Sequence, residues 1–232
     1  MRDYKYAAAA RALDLVSGGM RLGLGSGSTA ECFFELLGQR IRDDGIKVVG
    51  VASSERTAQA ARDHGIPLTD LDDVPYLDLT VDGADEIDSE LRLIKGGGGA
   101  LLREKIVATA SEQVVIIADN SKLVTTLGAF ALPIEIERFG QAATQAMVLA
   151  VAQDAHCTGT VKVRTGSDGA PFITDGGHLI IDCDFKEIRE PELLADHLSL
   201  VPGVIETGLF LGVADRAFIA GRTGVDELIA PT

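Results

Sequence analysis

Short apolar runs ending in glycine or acidic turns alternate with helical stretches through the first half of this chain, and that alternation limits the fold more than any other feature. Residues 20–24, 47–52, 77–81, 91–94 and 114–118 read as strands. Helical patterns separate or flank them: residues 6–16, alanine-rich and stopping at Gly18-Gly19; residues 29–43; a stretch from an N-cap at Ser53 or Ser54 to His64, closed by Gly65 and Pro67; and residues 100–110. Strands alternating with helices of this length predict an α/β fold, a mostly parallel sheet with helices on both faces. In such a sheet the ligand crevice lies beyond the carboxyl ends of the strands, and the chemically informative motifs fall there.

After about residue 130 the pattern changes. Residues 132–136 and 140–151 read as strand then helix. Residues 159–164, 171–174 and 178–182 read as short strands between Gly, Asp and Ser turns, and residues 191–200 as a helix with Pro191 in its permissible first turn. A β-α-β-β-α-β order is the split-βαβ, ferredoxin-like arrangement. Residues 131–206 are therefore expected to form a smaller α+β domain, and residues 1–130 and 207–232 the first domain. Residues 217–220 are the expected strand that returns to the first sheet.

Composition narrows the partners. The 232 residues carry 21 Lys and Arg against 35 Asp and Glu, a formal net charge of −14. A nucleic-acid footprint needs a clustered basic face, so no nucleic-acid partner is expected. An anionic small molecule stays compatible, because local cations and backbone N–H groups bind phosphate within a negative protein. Cys32, Cys157 and Cys183 are scattered and lack C-x-x-C spacing, which points to reduced thiols rather than disulfide or zinc chemistry. No apolar stretch reaches the ~18–20 residues of a membrane span and no leader pattern opens the chain. A cytoplasmic protein without a membrane partner is the expectation.

Four motifs follow predicted strands. Gly23-Leu24-Gly25-Ser26-Gly27-Ser28-Thr29-Ala30 leads from a strand into a helix, where glycines admit an anion to the backbone and the helix start offers N–H groups and a positive dipole end. Gly25, Gly27 and Ala30 meet the loose G-x-G-x-x-A dinucleotide pattern, but Ser53-Ser54 stand where a ribose-binding acid belongs, and no Walker lysine follows. A hydroxyl-rich phosphate cradle, a tight structural turn and a dinucleotide site all stay open. Asp82-Gly83-Ala84-Asp85-Glu86-Ile87-Asp88 offers carboxylates for proton exchange with ligand hydroxyls. Its rivals are a solvated turn and a hard-metal site, although neither calcium-loop spacing nor a histidine partner is present.

Lys95 opens the run Gly96-Gly97-Gly98-Gly99, where a lysine and a nest of backbone N–H groups could stabilise an oxyanion. Glu104, early in the next helix, has only Ala100, Leu101, Val107 and Ala108 at helical salt-bridge spacing. A solvated carboxylate and a catalytic one both remain open there. Asp119-Asn120-Ser121-Lys122 places a further lysine at a strand end, facing the crevice or simply solvated. The four histidines stand in unrelated contexts and receive no role.

In order and spacing, Gly25-Ser26-Gly27-Ser28-Thr29, Val81-Asp82-Gly83-Ala84-Asp85-Glu86-Ile87, Ile94-Lys95-Gly96-Gly97-Gly98-Gly99-Ala100, Arg103-Glu104-Lys105-Ile106 and Ala118-Asp119-Asn120-Ser121-Lys122 closely resemble the type A ribose-5-phosphate isomerase family. Pro202-Gly203-Val204 and Gly208-Leu209-Phe210 extend the resemblance over nearly the whole chain. It implies a Rossmann-like α/β domain carrying a ferredoxin-like insertion. It implies interconversion of ribose 5-phosphate and ribulose 5-phosphate through a cis-enediolate, with Glu104 as the base and Asp82, Asp85 and Lys95 handling hydroxyls and carbonyl. Ser26, Gly27, Ser28, Thr29, Gly83, Ala84, Gly96, Gly97, Gly98, Lys122 and Lys5 are implied to surround the sugar phosphate, Lys5 on the least distinctive motif. Gly99 stands where the family often has alanine, a departure expected to be harmless.

The resemblance implies no metal and no organic cofactor, and a homodimer or homotetramer as the family-level assembly. Two rivals share related architecture. A sugar-phosphate sensor would keep the phosphate loop without needing Glu104 and Lys95 together, and would carry a basic DNA-binding module. An amino-sugar-phosphate deaminase would employ a histidine, and none follows the acidic turn or the glycine run.

Overall fold

The computed structural model describes residues 2–231. The chain runs α1 (Arg2–Leu13), β1 (Arg21–Leu24), α2 (Ser28–Asp44), β2 (Val49–Ala52), α3 (Glu55–Asp63), β3 (Leu79–Asp82), β4 (Glu86–Ile87), β5 (Leu93–Ile94), α4 (Leu101–Thr109) and β6 (Val114–Asp119). It continues through β7 (Leu132–Ile136), α5 (Gln141–Asp154), β8 (Thr160–Val163), β9 (Leu179–Asp184), α6 (Pro191–Ser199) and β10 (Val204–Thr207). It closes with β11 (Leu209–Phe210), β12 (Arg216–Gly221) and β13 (Gly224–Ile229).

The main sheet has the order β13-β12-β6-β3-β1-β2, parallel throughout except for the β12–β13 hairpin. Its central strand shows why helices cover both faces. All of β6 is buried, and its side chains alternate between two cores as a pleat requires. Val115 and Ile117 pack with the alanine face of α1 and with Phe33, Phe34 and Leu37 of α2. Ile116 and Ala118 face Leu101, Ala108 and Phe210 on the other side. Because the strands are parallel, β1, β2, β3 and β6 all deliver their carboxyl ends to one edge.

The second sheet, β10-β7-β9-β8, is wholly antiparallel, and α5 and α6 share a core with it. Numbered by their order in this segment the strands run 4-1-3-2, the ferredoxin-like arrangement. A third, small sheet, β11-β5-β4, joins the returning chain to the acidic turn and glycine run.

Some expected elements shift. The first helix covers Arg2–Leu13 rather than residues 6–16: Asp3 suits its first turn, and Leu15 and Val16 tighten onto the carbonyls of Ala12 and Leu13, ending it before the glycines. Residues 171–174 make only isolated bridges, Thr165 with Pro171 and Ile173 with Leu179. Pro171 has no N–H to continue a ladder. The N-cap of α3 is Ser54, whose side chain accepts from the Thr57 N–H.

Candidate active site

The site begins with a close approach of two strand ends. After β1 the Gly25 N–H donates to the Val81 carbonyl at 3.0 Å, which brings the glycine loop against Asp82. A Cβ on Gly25 would lie 2.0 Å from Asp82 Oδ1, so only glycine fits. Asp82 is 2% exposed. Its Oδ1 accepts from the N–H groups of Ser26 (2.9 Å) and Gly83 (2.7 Å). Its Oδ2 pairs with Lys95 Nζ at 2.8 Å. Gly27, at φ 101°, then turns the chain into α2.

Lys95 leaves β5 with its ammonium almost wholly buried, and the Gly83 carbonyl (2.7 Å), Asp82 Oδ2 and Glu104 Oε1 (3.4 Å) surround it. Burial works against its charge, but Asp82 and Glu104 outweigh that and hold its pKa above the ordinary lysine value. Glu104, in the first turn of α4, is 5% exposed, and its Oε2 is buried with no hydrogen-bond partner. Burial pushes its carboxyl up to about 7; Lys95 opposes the rise, while Asp82 and Asp85 reinforce it. The helix supplies Glu104 with no cation, as its spacing implies; the cation comes from Lys95, nine positions earlier and outside the helix.

These groups face a cavity of about 170 Å³. Glu104, Lys95, Asp85, Gly83, Ala84, Gly96, Gly97 and Gly98 line it together with Ser26, Gly27, Ser28, Thr29, Lys5 and Lys122. Asp82 alone of the sequence-predicted positions does not line it and lies beneath, holding Lys95 and the glycine loop. Asp85 does reach the cavity: its Oδ2 accepts from the Gly97 N–H at 2.8 Å, and its Oδ1 has no protein donor among the described residues. The longer reach of α1 places Lys5 Nζ 2.6 Å from Ser28 Oγ, at the start of α2. Lys122 follows β6 in a short turn capped by Asp119, which accepts from the Ser121 N–H at 3.0 Å.

Ser26 lines the cavity, but its hydroxyl joins a cluster with Ser53 Oγ (3.0 Å), Ser54 Oγ (3.1 Å) and Thr57 Oγ1 (2.9 Å). Thr57 in turn donates to the Gly25 carbonyl at 3.0 Å. The Ser53-Ser54 pair, at the end of β2, thus helps hold the glycine loop. Thr57 carries no motif, and sequence reasoning missed it. At Gly99, at φ +84°, a Cβ would come within 2.4 Å of the tip of the Phe172 ring, so the glycine fits its backbone and its neighbour without adjustment. Among the described residues no group of three or more His, Cys, Asp or Glu side chains is placed to hold a metal ion, and none of the histidines lines the cavity.

A parallel α/β sheet whose strand ends bring a helix start with two lysines and a buried carboxylate–ammonium pair to one cavity has the chemistry to hold an anion beside an acid–base group. Comparison with known proteins specifies it. The family model for ribose 5-phosphate isomerase A (phosphoriboisomerase A) matches residues 49–224. The ribose-5-phosphate isomerase A of Methylorubrum extorquens is 57% identical over 228 residues, covering 98% of this chain and 96% of the relative. That of Parvibaculum lavamentivorans is 54% identical over 228 residues and 98% of each chain. The ribose 5-phosphate isomerase structure from Plasmodium falciparum superposes with a TM-score of 0.94 at 38% identity, covering 100% of both chains. A D-ribose-5-phosphate isomerase solved with phospho-erythronic acid gives 0.91 at 36% identity, covering 98% of both. The chain belongs to the ribose 5-phosphate isomerase A family.

Proposed function

We propose that this protein interconverts D-ribose 5-phosphate and D-ribulose 5-phosphate, with Glu104 as the proton-transfer base. One observation carries the assignment: a carboxylate that lines the cavity, has one oxygen unpartnered and has its pKa raised to about 7 is poised to accept and return a proton near neutral pH. Glu104 takes the C2 hydrogen of the open-chain aldose. The C–H electron pair becomes the C1–C2 double bond, and the carbonyl oxygen becomes the enediolate oxygen. Return of the proton to C1, with the O2 proton passing to O1, gives the ketose. Lys95 stabilises the enediolate charge, exchanging its long 3.4 Å contact with Glu104 for the substrate oxygen.

Asp85, with an oxygen free toward the cavity, handles the sugar hydroxyls and ring opening, and Asp82 acts from below by fixing Lys95. Lys5, Ser28, Thr29, Lys122 and the N–H groups at the start of α2 hold the phosphate. Two domains are proposed, residues 131–206 and the remainder: the antiparallel sheet packs with α5 and α6 around a cluster of its own, to which Ile94, Leu127 and Leu209 of the first domain add. The assembly proposed is a homodimer or homotetramer in the cytoplasm; no described helix is long and apolar enough to cross a membrane. Light scattering on the eluted protein tests the assembly.

The assay is turnover of ribose 5-phosphate, with arabinose 5-phosphate as control. The two sugars differ at C2, so a base fixed on one face removes the hydrogen of only one of them. Turnover of ribose 5-phosphate alone is expected. No turnover, or binding without conversion as in a sensor, would overturn the assignment.

A further inference from the structure

The cavity's glycine run is gripped from outside by a side chain of the other sheet. Arg164 follows β8, and its backbone is fixed by the Ile180 carbonyl (2.8 Å) and the Phe172 N–H (2.9 Å). Its side chain is 14% exposed, and the guanidinium forms a two-pronged ion pair with Asp182 of β9, Nε to Oδ2 at 3.0 Å and Nη2 to Oδ1. The remaining arm, Nη1, donates to the Gly96 carbonyl at 2.8 Å and the Gly97 carbonyl at 3.2 Å. In a trans peptide the C=O and the following N–H lie in one plane and point opposite ways. Holding Gly96 O therefore aims the Gly97 N–H, which donates to Asp85 Oδ2 at 2.8 Å. Holding Gly97 O aims the Gly98 N–H, which has no protein acceptor among the described residues and belongs to a cavity-lining residue. Phe172, eight positions on, packs over Gly99 and closes the far end of the run.

We propose that Arg164 is a positioning residue for the isomerisation: it locks two peptide planes of the glycine run, so that the Gly98 N–H faces the developing enediolate and Asp85 stays aligned. The inference rests on the activity proposed above. A run of glycines has no side chains to restrain it; within the run only the Gly99 N–H, donating to the Gly96 carbonyl at 2.9 Å, helps to hold it, and that bond leaves the Gly97 carbonyl to Arg164. A cation on the two carbonyls also polarises those peptides and strengthens their N–H groups as donors.

Two measurements on Arg164→Met test it, one independent of activity. Amide hydrogen exchange at Gly97, whose N–H donates to Asp85, is expected to quicken by about tenfold or more in the variant. In the isomerase assay kcat is expected to fall by about 10- to 100-fold, with KM changed by less than about threefold. Inhibition by phospho-erythronic acid should weaken by the same factor as kcat. Arg164→Lys should recover only part of the loss, and millimolar methylguanidinium should raise the rate of Arg164→Met. Unchanged exchange overturns the positioning role whether or not ribose 5-phosphate is the substrate. Wild-type kcat with quickened exchange overturns the link to catalysis, and an inactive wild type condemns the activity assignment instead. Should Arg164→Met fail to fold, Asp182→Asn, which frees the guanidinium from its anchor, must show the same kcat-specific loss and quickened exchange; its absence refutes the proposal.

Discussion

Replacing Glu104 with glutamine separates the two consequences of burying this carboxylate. Burial, assisted by Asp82 and Asp85, lifts its pKa from 4.5 to about 7 against the pull of Lys95. Between those values the folded chain holds a proton that the unfolded chain has released, so the contribution of Glu104 to stability declines as pH rises, and it is flat above about 7. At about 1.4 kcal/mol for each pH unit, the full decline is roughly 3 kcal/mol, of which about 2 falls between pH 5.5 and 8. Glutamine has no charge to lose. The stability of Glu104→Gln relative to wild type should therefore grow by about 2 kcal/mol over that range, a relative rise of about 4–8 °C in Tm for a chain of this size.

Activity must move the other way. General-base removal costs about 10²- to 10⁴-fold in kcat, and wild-type kcat/KM should climb with pH through about 7 as the base ionises. Thermal melts and initial rates across the same buffers give both curves. A pH-independent stability difference, or one in which wild type gains on the variant as pH rises, would mean that Lys95 dominates and lowers the carboxyl's pKa. That result would refute the reasoning even if the variant were inactive.

Removing Lys95 (Lys95→Met) leaves Asp82 and Glu104 buried without their cation, an expected loss of about 3–5 kcal/mol in denaturant melts, with residual activity shifted to higher pH. Gly25→Ala drives a Cβ into Asp82 and should cost about 1–3 kcal/mol and lower kcat, whereas Gly18→Ala, with nothing within 4 Å, should change neither in the same melts and assays. Lys5→Ala and Lys122→Ala should raise KM by about tenfold or more with a smaller effect on kcat, and weaken inhibition by inorganic phosphate in parallel. EDTA should leave the initial rate unchanged; loss of activity restored by a divalent ion would contradict the metal-free mechanism.

The parallel sheet was legible chiefly from its buried inner strands, of which β6 is the clearest apolar run, a signal that needs no knowledge of what packs against it; the polar edge strand β13 carries no such signal, and the run at residues 91–94 supplies β5 of the small antiparallel sheet instead. The cavity was legible because the chemistry of its wall resides in consecutive residues: the glycine loop, the acidic turn and the glycine run each carry their spacing within the chain. What stayed hidden depends on the direction of a side chain. Asp82 and Asp85 are three positions apart and equivalent as letters, yet one ends β3 beneath the loop, with both oxygens occupied, and the other turns an oxygen toward the cavity. Ser26 and Ser28 alternate along one loop, yet one hydroxyl is drawn into the cluster of Ser53, Ser54 and Thr57 and the other meets Lys5.

The same distinction explains why the chain's net charge misleads about its site. A formal charge of −14 opposes an anionic ligand only where the charges act on it, and Asp82 spends its negative charge on Lys95 and on two backbone N–H groups. Its position fixes a cation that Glu104 alone would hold only loosely, at 3.4 Å. Burial is the main reason Glu104 resists ionisation, and Lys95 pulls the other way. With Asp82 also on that ammonium, two carboxylates share one cation, and the negative charge of Asp82 adds to the rise that burial begins. No count of charges along the sequence distinguishes that second acid from the solvated acids around it.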